Sequence, residues 1–129
     1  MPRVLIVEDD PDQREVYTRL LFYNGFEVLE ADTAGRGVEL ARSARPDAII
    51  MDVILPDMDG IAATTMLKST PETSDIPIIC MTAYNVEPSR ARAAGVHHLL
   101  QKPVLGHTLV RAIRSYIGWS DSRPDTTDA

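Results

Sequence analysis

The chain has 129 residues, 44% of them hydrophobic, which suits one globular domain with a buried core and leaves no room for a second. Thirteen basic against nineteen acidic residues give a net charge of -6 and a pI near 4.9, which argues against a binder of phosphate backbones and so against direct nucleic-acid contact. A single cysteine excludes a disulfide framework, and the four apolar residues between Arg3 and Glu8 make neither a signal-peptide core nor a membrane span, so a cytoplasmic location is expected.

Taken in chain order, "VLIV" at 4–7 reads as a first strand. Asp10 then stands as an N-cap, Pro11 at the first helical position and Gln13 three residues after the cap, a capping-box arrangement opening a helix that ends at Gly25. Val16, Leu20 and Tyr23 share one face of it. "FEVLEA" at 26–31 is a second strand, and a helix is expected from about Thr33 to Ala44. "AIIM" at 48–51 is the third and most apolar strand, with Asp52 at its carboxyl end; a helix is expected from Asp59, its cap by residue type, to Ser69. "IPIICM" at 76–81 is the fourth strand, in which Cys80 reads as a buried, inert thiol. A short helix over 88–94 stops at Gly95, "HHLLQ" at 97–101 is the fifth strand, and a last helix runs from Gly106 to Ile117. Residues 119–129 are polar and without periodicity, so the domain is expected to fill 1–118 and to be followed by a tail or the start of a linker.

Five β-α units with apolar strands predict an α/β fold: a parallel five-stranded sheet, order 2-1-3-4-5, with helices on both faces. In such sheets ligands bind outside the carboxyl ends of the strands, where the strand order reverses. The residues at those ends are Glu8 and Asp9, Asp52, Thr82, and Lys102 before Pro103. Taken singly each has a bland explanation: an acid before a helix is usually a cap, which is the role given to Asp10, and a Thr or a Lys-Pro after a strand is usually only loop. Their coincidence at four strand ends of one sheet carries the functional reading.

Glu8, Asp9 and Asp52 brought together repel unless a cation enters, and an oxygen-only cluster suits Mg2+, which tolerates few protein ligands and keeps its waters. With a metal and Lys102 beside it, Asp52 could attack a phosphoryl donor as a carboxylate nucleophile, while Lys102 and the Thr82 hydroxyl neutralise the transferring oxygens.

The stretches "VLIVEDD", "IIMDVILPDMDG", "IPIICMTAY" and "LLQKPV" occur in the order and near the spacings of a receiver domain, and over residues 3–117 the chain resembles the CheY-like receivers of bacterial two-component response regulators. The resemblance implies that Asp52 is the phosphorylated residue and that Glu8 and Asp9 hold Mg2+ with Asp52 and the backbone carbonyl of Ile54. It further implies that Thr82, the Ala83 backbone N–H and Lys102 contact the phosphoryl group, and that the bond from Lys102 to Pro103 is cis. The implied partners are a sensor histidine kinase or histidine phosphotransfer protein and a downstream effector protein, with the chain itself a monomer or weak dimer.

Three positions depart from the family pattern. Leu99 stands where an aromatic switch residue is usual, and strand alternation sends its neighbour His98 to the opposite face as a surface or packing residue. The segment from Thr82 to Gly95 is two residues short of the commonest receivers and carries Pro88, so the fourth helix should be short and the usual dimer is not assumed. Ile54 and Tyr84 flank the approach of water to the acyl phosphate; both are bulky and neither is a base, so dephosphorylation is expected to be slow. Two other readings remain open: a Mg2+-dependent aspartyl-phosphate phosphatase, which would want an acid where Ile54 stands, and a non-phosphorylated interaction module. Trp119 is expected to lie away from the acid pocket.

Overall fold

Each apolar run forms a strand, and each is followed by a helix: β1 (Arg3–Val7), α1 (Pro11–Tyr23), β2 (Glu27–Ala31), α2 (Ala34–Ala44), β3 (Ala48–Asp52), α3 (Gly60–Lys68), β4 (Ile78–Thr82), α4 (Pro88–Ala94), β5 (His98–Gln101) and α5 (Gly106–Tyr116). The structure, a computed structural model, describes residues 1–118, so the expected tail and Trp119 lie outside the described residues. All strand pairs are parallel and the order is β2-β1-β3-β4-β5, as the sequence predicts. The helices α2, α3 and α4 cover one face, where Ala34, Ala41, Ile61 and Leu67 meet Val7, Met51 and Cys80. On the other face, α1 and α5 bring Tyr17, Leu21 and Leu109 against Ile6, Ile50 and Met81. Burial at both faces explains why β3 and β4 are apolar almost throughout, each large aliphatic side chain there contributing roughly 1.5–3 kcal/mol.

The rotation of α1 differs from the sequence expectation. Val16 and Tyr23 are 63% and 81% exposed, and the core-facing residues are Tyr17 and Leu21. Polar bonds at the first turn set that rotation: the Arg14 guanidinium donates to the Glu8 carbonyl at 2.7 Å, and Gln13 is drawn over the strand ends. Positions four and eight residues beyond Gln13 then point inward.

In β5, Leu99 lies beside Cys80 of β4 and packs half-buried on the α3 side, whereas exposed His98 places Nδ1 3.2 Å from the Tyr116 hydroxyl of α5. The expected alternation therefore holds. Cys80 is fully buried, and burial pushes its thiol up to about 12, which fits an inert core residue. The short α4 starts at Pro88 and ends at Gly95 in the left-handed region.

The loop after β3 does more than turn the chain. The two carboxylate oxygens of Asp57 accept from the backbone N–H groups of Ala34 and Gly35 at 2.9 and 2.8 Å, capping α2 from 23 and 22 residues away. Those bonds hold the Asp57 carboxyl below its ordinary range. We therefore expect Asp57→Ala to lower Tm by several degrees at neutral pH, the usual scale of a lost helix cap. A depressed folded pKa contributes stability above the unfolded value and loses it as pH falls. The difference from wild type should thus shrink below about pH 4. Thermal unfolding at both pH values checks this, and equal Tm at neutral pH would contradict it.

Candidate functional site

Parallel strands all end on one edge, so Glu8 and Asp9 after β1 and Asp52 at the end of β3 are forced together by the direct pairing of those two strands. One carboxylate oxygen from each of the three lies within 4.8 Å of the others. Glu8 and Asp52 are buried, and Asp9 is exposed at the mouth. Lys102, just past β5, reaches across the sheet end. Its Nζ lies 2.9 Å from Glu8 Oε1, 3.0 Å from Asp52 Oδ2 and 2.8 Å from Gln13 Oε1. The peptide bond to Pro103 is cis, as the resemblance implies.

Desolvation by burial raises the Glu8 carboxyl above its usual range, and the hydrogen bond from Lys102 offsets only part of this. For Lys102, burial works against the charge, but the hydrogen bonds to Glu8 and Asp52 outweigh it and the ammonium is held above the ordinary lysine range. Lys102 is therefore a fixed cation held between the Glu8 and Asp52 carboxylates and the Gln13 amide oxygen.

The cleft above these groups is about 290 Å³ and is lined by Asp9, Asp52, Ile54, Ala83, Tyr84 and Lys102 among others. A wider concavity, the α1–α5 groove of about 520 Å³, has no acid among the described residues that line it. Ile54 donates its N–H to Asp52 Oδ1 at 3.2 Å, and its side chain and that of Tyr84 stand 54% and 64% exposed at the lip. Thr82 does not line the cleft: it is buried, and its Oγ1 accepts the Tyr84 N–H at 3.0 Å. Ala83, beside it, does line the cleft.

Gln13 is the site residue that sequence reasoning assigned elsewhere. In a capping box its side chain would accept from the Asp10 N–H. Here that N–H goes to Glu8 Oε2 at 3.2 Å, while the Gln13 amide donates to Asp10 Oδ2 at 3.1 Å and accepts from Lys102. Asp10 remains the cap, accepting from Asp12 N at 2.9 Å. The spacing of Gln13 from Asp10 is the same in both arrangements; only the position of Lys102 separates them.

The donor set suits a small hard cation. Ligand oxygens on an octahedral Mg2+ stand about 2.9 Å apart when adjacent and about 4.2 Å when opposite, so three carboxylate oxygens within 4.8 Å of one another are near enough to be drawn onto one ion, and among the described residues no sulfur or imidazole joins them.

The profile of the response regulator receiver domain matches residues 4–114. Over 119 residues the chain is 37% identical to protein PilH of Pseudomonas aeruginosa, covering 91% of this chain and 98% of that one. It is 33% identical to the polar-differentiation response regulator DivK of Brucella anthropi, covering 92% and 98%. Among solved structures, a CheY-like receiver domain protein from Methanospirillum hungatei superposes with a TM-score of 0.86 at 26% identity, covering 92% of this chain and 94% of that one. The receiver domain of sensor histidine kinase PA1611 from Pseudomonas aeruginosa, with a magnesium ion in its active-site cleft, gives 0.83 at 32% identity, covering 91% and 98%.

Proposed function

The chain belongs to the response regulator receiver family, and from that premise we propose that it is a phosphorylation switch whose acceptor is Asp52. The observation that carries this reading is the contact of Lys102 Nζ with Asp52 Oδ2 at 3.0 Å inside a cluster of three carboxylates. A nucleophilic carboxylate needs its charge kept and its phosphoryl partner's charge neutralised, and this cluster supplies both.

In the proposed reaction, an Asp52 oxygen attacks the phosphorus of a phosphohistidine on a sensor kinase or phosphotransfer protein. The O–P bond forms, the P–N bond breaks with its electron pair going to the ring nitrogen, and that nitrogen takes a proton from solvent so that the histidine leaves as neutral imidazole. Glu8, Asp9, Asp52 and the Ile54 carbonyl would hold Mg2+, which when bound neutralises phosphoryl oxygens. Lys102 pairs with a further phosphoryl oxygen, and the Ala83 N–H donates to another. The Thr82 hydroxyl oxygen accepts the Tyr84 N–H, and its own O–H, not used in that bond, can turn toward the phosphoryl group, so the hydroxyl ties the state of Asp52 to the loop before α4. The phosphoryl group brings nearly two negative charges while the Asp52 carboxylate gives up its own, a net gain of about one, and the response is a shift between two loop arrangements that an effector protein reads. The receiver unit proposed here spans residues 1–118, works in the cytoplasm as a monomer or weak dimer, and makes no direct nucleic-acid contact. Among the described residues no helix is long and apolar enough to cross a membrane.

The test is incubation with acetyl phosphate and Mg2+ followed by intact mass. Wild type should gain one phosphoryl group and Asp52→Asn none. Absence of any gain in wild type would favour the interaction module, and continuous release of phosphate from small esters would favour the phosphatase.

Ile54 and Tyr84 at the lip present bulk and no base to incoming water. Spontaneous dephosphorylation is therefore expected to be slow, and Ile54→Ala or Tyr84→Ala to speed it severalfold. A time course of the phosphorylated mass after the donor is removed measures this; a fast wild-type decay, unchanged by either substitution, counts against it.

A further inference from the structure

We propose that Gln13 is a positioning residue for the phosphoryl-transfer reaction, acting as the neutral third acceptor that fixes the Lys102 ammonium over Asp52; the inference rests on the receiver reading above.

An ammonium has three N–H donors and no acceptor. Lys102 directs them to Glu8 Oε1, Asp52 Oδ2 and Gln13 Oε1, so its coordination is complete only when Gln13 is counted. The two acids sit at the ends of adjacent strands on the sheet edge, and Gln13 approaches from the first turn of α1. With two acceptors alone the head group could pivot about the line joining them; the third, on another element, removes that freedom.

The orientation of the amide follows from its other bond. Asp10 Oδ2 lies 3.1 Å from Gln13 Nε2, and a carboxylate accepts but does not donate, so the nitrogen must face Asp10 and the oxygen Lys102. Asp10 is itself fixed as the cap of α1 by Asp12 N. The series from Asp10 through Gln13 to Lys102 thus anchors the reactive lysine to a helix rather than to a loop.

Neutrality is part of the role. A fourth carboxylate at this place would add to the repulsion among Glu8, Asp9 and Asp52 and compete for the cation. When Asp52 becomes an acyl phosphate, its oxygens lose their full charge and hold Lys102 less strongly. Glu8 and Gln13 remain, and keep the ammonium where the phosphoryl oxygen arrives. Tertiary placement of a lysine by partners of this kind governs rate more than binding, because the misplacement it prevents matters most in the transition state.

The test uses the only two lysines of the chain, Lys68 and Lys102. Metal-free protein is treated with a trace of acetic anhydride, and acetylation of Lys102 is measured relative to Lys68 by peptide mass. Gln13→Met keeps the length of the side chain and removes the acceptor, and is expected to raise the relative labelling of Lys102 by roughly fivefold to tenfold. Gln13→Glu keeps an acceptor oxygen and is expected to keep Lys102 protected. In parallel, phosphorylation by acetyl phosphate with Mg2+ is followed as a function of donor concentration. Gln13→Met should lower the maximal rate by a similar factor and leave the half-saturating donor concentration unchanged. The labelling arm needs neither metal nor phosphorylation, so it stands even if wild type proves not to be a phosphoacceptor. Unchanged labelling in Gln13→Met overturns the proposal, as does increased labelling with an unaltered maximal rate in a wild type that is phosphorylated. If Gln13→Met does not fold, exposure of Lys102 in Gln13→Glu equal to that of Lys68 overturns it.

Discussion

Replacing Lys102 with methionine is expected to lower the unfolding free energy by about 3 kcal/mol at neutral pH in the absence of divalent cations, as measured by urea denaturation. The cause is what stays behind. Glu8 has a side chain only 1% exposed and Asp52 one 9% exposed, and both lose the cation that compensates their burial. Removing one partner of a buried ion pair costs more than the pair contributes, because the remaining charge is desolvated and unpaired. Two conditions should reduce the deficit. Burial already raises the Glu8 carboxyl, and loss of Lys102 raises it further. A folded pKa above the unfolded one favours the folded state at low pH and loses that contribution as pH rises through the folded value, so the deficit is largest at and above neutrality and shrinks toward mildly acidic pH. Millimolar Mg2+ should also raise Tm more in the variant than in wild type, since it restores positive charge to the same cluster. A variant as stable as wild type without Mg2+ would show that the acids relax into solvent on their own.

Gly60→Ala is expected to damage fold and site together. A Cβ built at Gly60 would stand 2.1 Å from the Asp52 carbonyl oxygen and 3.0 Å from its carbonyl carbon, both backbone atoms of β3. Contact distances for such atoms are about 3.5 Å, so α3 and the end of β3 must separate by about 1 Å or more. The same residue donates its N–H to Val53 O at 2.7 Å, and that bond is lost in the separation. The glycine is needed for space, not for backbone conformation. The expected stability loss is roughly 2–3 kcal/mol. Because the displaced strand end carries Asp52, the initial rate of phosphorylation by acetyl phosphate should fall by about 100-fold. Gly35→Ala is the comparison: its nearest neighbour is an Asp57 side-chain oxygen at 3.2 Å, so it can disturb the cap of α2 but displaces no backbone of β3, and the phosphorylation rate should stay near that of wild type. If Gly60→Ala is as stable and as quickly phosphorylated as wild type, the packing argument fails.

Much of the site was legible because short apolar runs and Gly, Pro and Asp punctuation give strand ends, and strand ends in a parallel sheet share one edge. That reasoning located Glu8, Asp9, Asp52, Thr82 and Lys102. It misassigned Gln13, since one spacing from Asp10 serves both a capping box and a lysine contact. It also missed the reach of Asp57 to α2, because a carboxylate capping a helix more than twenty residues distant leaves no local pattern. The α1 face was misread for a related reason. Val16 and Tyr23 are as apolar as a core face requires, but the rotation of the helix follows from the bonds of Gln13 and Arg14 to groups on other elements.

Short-range signals along the chain suffice for the five β-α units, the caps at Asp10 and Asp59, the short α4 and the chemical types waiting at each strand end. Tertiary structure alone decided which of those groups touch. It set the three acceptors around Lys102, the engagement of Thr82 with Tyr84 N–H rather than with the cleft, and the close approach of Gly60 to Asp52. The reason is one of range. Local propensity acts over a few residues along the chain, whereas contacts such as Lys102 to Glu8, 94 residues apart, exist only after the sheet has brought its strand ends together.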